Sequence, residues 1–346
     1  MVTVAAATTT TTAAATPTLR YGVVGAGYIA GAHLAALTAT PGVSIVGVAD
    51  PVAAKAARLA DVFGCRAVSS LGELLELGVD AVSVCTPSPT HADEVVAALR
   101  AGRHVLCEKP IARSVDDARR IISAGDAAQQ VLMIGHVSRF EPDHARAAEV
   151  VLGGAIGDVR SMTQSIRSPL PDWSEGSWLH DPAASGGPLI DLAIHSFDYL
   201  TWIARTRPVR VRCVTSGGTS RLPTYSLSTV RYESGAMALV EASWAHPAAA
   251  GLELETEIVG TGGRVRWDYG GIRGGTSTTG GAARTDIEVL GNRGFEAEIG
   301  RFCAAIRTAG PPPVPAADGL VALRIALAAA ESARTGQPVE IDEVSP

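Results

Sequence analysis

The chain has 346 residues, of which 47% are hydrophobic and 18% charged, and it carries a formal net charge of −6 without any basic block. That balance excludes a disordered chain and argues against nucleic acid or an anionic membrane as the main partner. The length exceeds what one core ordinarily supports, so two domains are expected.

The opening segment, MVTVAAATTTTTAAATPT, has neither a charged leader region nor a long apolar stretch. Residues 1–17 therefore read as a disordered tail without an export signal. From residue 20 onward, short apolar runs alternate with helical periods. RYGVVG, SIVGVAD, CRAVSS, DAVSVCT, HVLCEKP and QVLMIGH are predicted strands, and a helix is predicted after each of the first five. Continuous apolar strands joined by helices predict a parallel sheet covered on both faces. The tetrads at 90–93 and 114–117 read as capping boxes.

The first strand-to-helix turn reads Gly25-Ala26-Gly27-Tyr28-Ile29-Ala30, a G-x-G-x-x-A pattern. Its glycines permit a tight turn and let the backbone approach a pyrophosphate on the helix N-terminus. Asp50 ends the second strand, 25 residues beyond Gly25. A carboxylate about 20 residues on holds an adenosine ribose in such folds. Pro51, Val52 and Ala53 follow it, with no arginine to meet a 2′-phosphate, so NAD is expected over NADP. CTPSPTH and CEKP end the fourth and fifth strands, which places Lys109 at the ligand-binding edge. Only two of the 29 basic residues are lysines, Lys55 and Lys109. A lysine can be tuned to yield its proton, whereas an arginine stays charged.

In the second half, DVRSMTQSIRS, VRVRCVTSG, YSLSTVRYE, GAMALVEASWAH, LELETEIVGTGGRVRWDYG and TDIEVLG are predicted strands on short connections. They predict a largely antiparallel sheet. Residues 270–284 lack core residues and read as a mobile loop, and two amphipathic helices close the chain. Within SGGPLIDLAIHSFDYLTWIAR, Asp191 and His195 are four apart and share a helix face, with Asp198 one turn on. A buried structural histidine is an alternative reading of that pattern. No convincing third ligand accompanies the pair, so no metal site is expected. Trp173 and Trp178 offer aromatic faces to a sugar ring or to a core. Five scattered cysteines without C-x-x-C fit a reduced, cytoplasmic protein, and no run approaches 18 apolar residues, so no membrane span is expected.

G-x-G-x-x-A, the aspartate after the second strand, C-T-P-S-P-T-H, E-K-P, G-H-V-S-R-F-E-P, W-x-x-D-P and G-G-x-x-x-D-x-x-x-H occur in that order. This series resembles the Gfo/Idh/MocA family (glucose–fructose oxidoreductase, inositol dehydrogenase, rhizopine catabolism) over residues 19–346. The resemblance implies an NAD-binding Rossmann domain, residues 18–138, and an α/β domain with an open, mostly antiparallel sheet, residues 139–346. It implies that this second domain binds substrate and assembles homodimers or homotetramers. It places the catalytic roles on Lys109, Asp191 and His195, with Lys109 contacting nicotinamide and substrate and His195 exchanging the proton. Glu108, a further expected cofactor contact, and Pro110 complete E-K-P, whose Lys-Pro bond is often cis in such proteins. Thr86, Pro87 and His91 match the cofactor loop, and Tyr28 and Ile29 join Gly25 and Gly27 along the cofactor without setting its specificity. Arg139, Arg167 and Trp178 are further candidate substrate contacts. The expected activity is hydride transfer between nicotinamide and a secondary hydroxyl of a sugar, cyclitol or related polyol. A nucleotide-sugar, amino-sugar or imine oxidoreductase, or a non-catalytic sensor of sugar and NAD, are the alternatives.

Overall fold

A computed structural model of the protein describes residues 18–171, 178–181, 185–216, 224–247, 251–269, 275–279, 283–287 and 293–341. The tail at 1–17 and Trp173 lie outside the described residues. The six apolar runs of the first half form β1 (Leu19–Val24), β2 (Val43–Ala49), β3 (Arg66–Val68), β4 (Ala81–Val84), β5 (His104–Glu108) and β6 (Leu132–Gly135). All five pairings among them are parallel, in the order β3-β2-β1-β4-β5-β6. The chain winds outward from β1 through β2 to β3, then returns to β4 on the other side. In sheets of this order ligands bind at that reversal, outside the carboxyl ends of the strands, here β1 and β4.

Helices α1 (Tyr28–Ala39), α2 (Ala53–Phe63), α3 (Leu71–Glu76), α4 (His91–Arg100) and α5 (Val115–Ala127) connect these strands. Ser114 caps α5, its Oγ accepting the Asp117 N–H at 3.0 Å. Thr90 does not cap α4. A 3-10 turn, Ser88–Thr90, runs straight into that helix, and the Thr90 hydroxyl lies 2.8 Å from Thr86 Oγ1 and 3.0 Å from the Pro87 carbonyl. A capping box that sequence reading passed over opens α3. Ser70 Oγ accepts the Glu73 N–H, and the Glu73 carboxylate accepts the N–H and hydroxyl of Ser69.

After β6 a 3-10 turn, Val137–Phe140, leads into α6 (Pro142–Leu152). The second sheet comprises β7 (Val159–Arg167), β8 (Pro208–Ser216), β9 (Tyr225–Tyr232), β10 (Met237–Ser243), β11 (Glu253–Gly260), β12 (Arg264–Tyr269), β13 (Gly275–Thr279), β14 (Ala283–Ile287) and β15 (Val339–Glu340). Its order is β14-β13-β12-β11-β7-β10-β9-β8-β15; β7 and β10 pair in parallel, and the other pairings are antiparallel. The segment at 270–284 is thus not a plain loop: it contains β13 and the start of β14. β13 reads GTSTT and β14 ARTDI, and neither carries apolar alternation. What defines them is ladder pairing, β13 to the edge of β12 and β14 to β13, which a pattern search for buried faces does not detect.

One face of this sheet buries Met162, Ile166, Val230, Val240, Leu254 and Trp267 in the second core. The opposite face leaves Val214, Met237 and Leu239 exposed, beside the ion pairs Arg167–Glu241, Arg264–Glu257 and Arg266–Glu255. Helices α7 (Gly187–Asp191) and α8 (Ala193–Ala204) lie between β7 and β8 in sequence, and α8 packs on β7 and β10.

Packing is not collinear with sequence. Helix α9 (Gly294–Thr308) sends Ile299, Phe302 and Cys303 into the first core, where the Phe302 ring meets Tyr21 edge-on at 6.2 Å. Helix α10 (Ala316–Thr335) contributes Leu323 to that core and Ile325, Ala326 and Ala329 to the second. One helix thereby joins the two sheets through its apolar side chains. Among the described residues, no helix is long and apolar enough to cross a membrane.

Candidate active site

The β1–α1 turn is built for a close approach. Gly25 has φ +88°, and a Cβ there would lie 2.6 Å from the Cys85 carbonyl oxygen, so only glycine fits. Gly27 is the N-cap of α1 without any side-chain cap, and a Cβ on it would meet nothing within 4 Å. An uncapped helix N-terminus beside open space suits a pyrophosphate. Tyr28 begins the helix, 64% exposed, and Ile29 is partly buried. The Asp50 carboxylate is held at both oxygens: Oδ2 accepts the Ala26 N–H and Oδ1 the Val52 N–H, each at 2.8 Å. Each oxygen keeps acceptor capacity for a ribose hydroxyl.

Thr86 and Pro87 follow β4 at the same edge. His91 is buried, its ring nitrogens 2.9 Å from the carbonyls of Thr86 and Pro110. Only an imidazolium could donate to both, yet burial pushes this ring below its usual range; the neutral ring donates to one carbonyl at a time. His91 thus straps the loop after β4 to the loop after β5.

Glu108 and Lys109 close β5. The Lys109–Pro110 peptide is cis. Glu108 is buried, and its Oε2 accepts the Lys109 N–H at 3.1 Å. Burial alone would raise this carboxyl, but the His33 hydrogen bond and the charges of His33 and Lys109 hold it below its usual value. Lys109 Nζ crosses to the second half of the chain, donating to the Asp191 carbonyl at 2.8 Å and to its Oδ1 at 2.9 Å. An ammonium has three N–H groups, so one is left for a substrate oxygen.

Asp191 ends α7, and Leu192 interrupts the helix before α8 begins. Asp191 and His195 therefore do not share one regular helix. The break lets Asp191 turn its carboxylate to Lys109, while His195 sits in the first turn of α8. His195 is partly buried, with Nδ1 3.4 Å from Ser138 Oγ. Burial first, then the positive charge of Lys109, pushes this imidazole well below 6.5, with His136 and His144 adding to the effect. At neutral pH the ring is an uncharged base. If its Nδ1–H faces Ser138, Nε2 carries the free lone pair.

Two expected substrate contacts are turned elsewhere. Arg139 is buried, its Nε and Nη2 donating to Asp198 at 2.8 and 2.5 Å and its Nη1 lying 2.9 Å from Asp318 at the start of α10. Its guanidinium also stacks 5.1 Å from the Trp202 ring centroid. All three nitrogens are engaged, which makes Arg139 a strut between α8 and α10 instead of a substrate ligand, and Asp198 its partner instead of a site carboxylate. Arg167 points to the face of the second sheet opposite α8, where it pairs with Glu241. The parity of a strand decides this, because neighbouring side chains alternate faces. Trp178 begins a short 3-10 turn, Trp178–His180. Sequence reading passed over Ser138, although it lies in the quoted G-H-V-S-R-F-E-P run. It also passed over Arg113, which donates to the Ser185 carbonyl at 2.8 Å, just before α7.

Comparison with known proteins places both halves of the chain in one family. Residues 19–136 match the description "Oxidoreductase family, NAD-binding Rossmann fold", and residues 144–266 match "GFO/IDH/MocA C-terminal domain". An inositol 2-dehydrogenase 3 from Saccharopolyspora erythraea is 30% identical over 335 residues, 94% of this chain and 96% of that protein. The chain belongs to the Gfo/Idh/MocA oxidoreductase family. A 1,5-anhydro-D-fructose reductase from Ensifer adhaerens is 29% identical over 338 residues, covering 93% of this chain and 98% of the relative. The solved aldose-aldose oxidoreductase from Caulobacter crescentus, complexed with glycerol, superposes with TM-score 0.81 at 26% identity, covering 93% of this chain and 99% of that one. The chain is thus an NAD-binding oxidoreductase of a sugar and inositol dehydrogenase family.

Arg139→Met should lower stability by about 3–5 kcal/mol, since it strands Asp198 as an uncompensated buried charge. Chemical denaturation measures this; a loss below about 1 kcal/mol, the surface-pair range, would contradict the strut assignment.

Proposed function

We propose that this chain oxidises or reduces one secondary hydroxyl/ketone centre of a sugar, cyclitol or related polyol, using NAD in preference to NADP. The observation that carries this reading is the Lys109 ammonium, held by Asp191 with one N–H unspent, beside a neutral His195. A bound nicotinamide dinucleotide supplies the hydride exchange. In the oxidative direction His195 accepts the hydroxyl proton, and the free N–H of Lys109 stabilises negative charge growing on the same oxygen. In the reductive direction both roles reverse. Asp191 fixes Lys109 and offers its remaining acceptor sites to a neighbouring substrate hydroxyl. The activities named for the Ensifer and Saccharopolyspora relatives support the substrate class.

The preference for NAD rests on Asp50, whose carboxylate would accept ribose hydroxyls and repel a 2′-phosphate. Titrating both reduced cofactors by fluorescence should give tighter binding of NADH; tighter binding of NADPH would remove Asp50 from that role.

Lys109→Ala and His195→Asn should each cut kcat by about 10²–10⁴ while cofactor affinity changes little. Lys109→Arg keeps the charge but not the compact donor, and should stay below roughly a tenth of wild-type activity. The depressed histidine sets the sign of the pH dependence. Its base form persists below pH 6.5, so oxidation should hold through neutrality and fail only on the acid side of that value. His195→Asn should flatten that acid limb. Near-normal turnover by Lys109→Arg on the true substrate would show that the lysine is merely structural.

We also read the open face of the second sheet as the contact between copies, in a dimer or tetramer. Exposed Val214, Met237 and Leu239 between Arg–Glu pairs support this reading. Light scattering at micromolar concentration should report an oligomer, and a monomer there would refute it.

A further inference from the structure

Directly beneath Lys109 lies a group of side chains that the hydride chemistry does not use. His33 from α1, Glu108 from the end of β5 and Glu298 from α9 are all buried, and their ligating atoms lie within 4.8 Å of one another. Glu298 is 0% exposed, and neither of its carboxylate oxygens has a hydrogen-bond partner. A buried carboxylate without partners is costly, so either a proton or a bound cation must neutralise it. The surroundings are acidic: burial and the charges of Glu108 and Glu141 push Glu298 well up, and burial lifts Glu141 to about 7. The nearest ammonium, on Lys109, is committed to Asp191.

The rest of the cluster has the form of a ligand shell. His33 Nε2 lies 2.8 Å from Glu108 Oε1, and its Nδ1 lies 2.9 Å from Ser83 Oγ, which is 3.0 Å from Tyr21 Oη. Without an ion, Nε2–H donates to Glu108; once an ion displaces that proton, with Nδ1–H donated to Ser83, Nε2 presents a lone pair inward, the second-sphere pattern of a metal-bound histidine. Two ligands about 2.1 Å from one ion lie about 3 Å apart at the right angles of six-coordination and about 3.4 Å apart in a tetrahedron, so the His33–Glu108 separation of 2.8 Å is nearer the six-coordinate geometry of Mn²⁺. One imidazole and two carboxylates suit zinc or manganese and suit magnesium poorly.

We propose that His33, Glu108 and Glu298 bind one divalent first-row transition ion, Zn²⁺ or Mn²⁺, which ties α1 and α9 to the end of β5. The ion is structural, and it steadies the backbone at Lys109 because Glu108 also accepts the Lys109 N–H.

The site is enclosed, so loading is tested as the protein folds in the cell. Full-length protein is purified without chelator from cultures supplemented with ZnCl2 or MnCl2, washed briefly in EDTA, and analysed for metal content and thermal midpoint. Wild type should retain about one zinc or manganese ion per chain, with a midpoint several degrees above protein from metal-depleted culture. Glu298→Gln, and His33→Asn as a second variant, should retain less than about a tenth of that metal and lose the shift. Wild type without metal overturns the proposal, as does equal retention by both variants. A metal-free wild type that Glu298→Gln stabilises would identify Glu298 as a protonated acid instead.

Discussion

The contact on which the site depends is Lys109 to Asp191, an ion pair spanning 82 residues of sequence and joining the end of a parallel strand to the end of a short helix. Its side chains are 13% and 17% exposed, shielded enough to hold a geometry and open enough to be reached by a substrate. Ion pairs of this kind add little net stability, since desolvation offsets much of the attraction. What this one does is positional. It fixes the ammonium with two donors spent and one free, and the helix break at Leu192 that allows it also places His195 in the first turn of α8.

Around that pair the chain uses polar struts where apolar packing alone could not fix an angle. His91 links the loops after β4 and β5 through two carbonyls, and Arg139 links α8 to α10 through two carboxylates. The apolar share of the same task falls to α10, whose side chains enter both cores. A displacement of α10 would therefore be felt at Asp318, at Arg139, and in α8, which carries His195 as well as Asp198.

The electrostatics follow from burial and the lysine. Four histidines, His91, His136, His144 and His195, are pushed down chiefly by desolvation, and Lys109 contributes at three of them. A base that is neutral at physiological pH and faces a cation is prepared to accept a proton from a hydroxyl bound between them. On the other side of β5 the carboxyls Glu141 and Glu298 are pushed up. Burial thus favours the uncharged form of both sets of groups, which leaves Lys109 as the cation facing the neutral His195.

Much of this was legible in the residues alone. Strand and helix alternation, the glycine turn, Asp50 and the position of Lys109 at a strand end all depend on local periodicity and on the rule that parallel sheets bind ligands at their carboxyl edge. The tertiary structure decided which charges are spent. Arg139 and Arg167 carry the same side chain, and nothing local shows that one is sealed against Asp198 and Asp318 while the other points to the far face of a sheet. Within 270–284, β13 and the start of β14 are strands through their pairing partners, not through their own composition. His33, Glu108 and Glu298 are separated by 75 and 190 residues, so no spacing rule could group them. Local order follows from nearest neighbours along the chain, whereas the state of a buried charge follows from whatever the fold brings within a few ångströms of it.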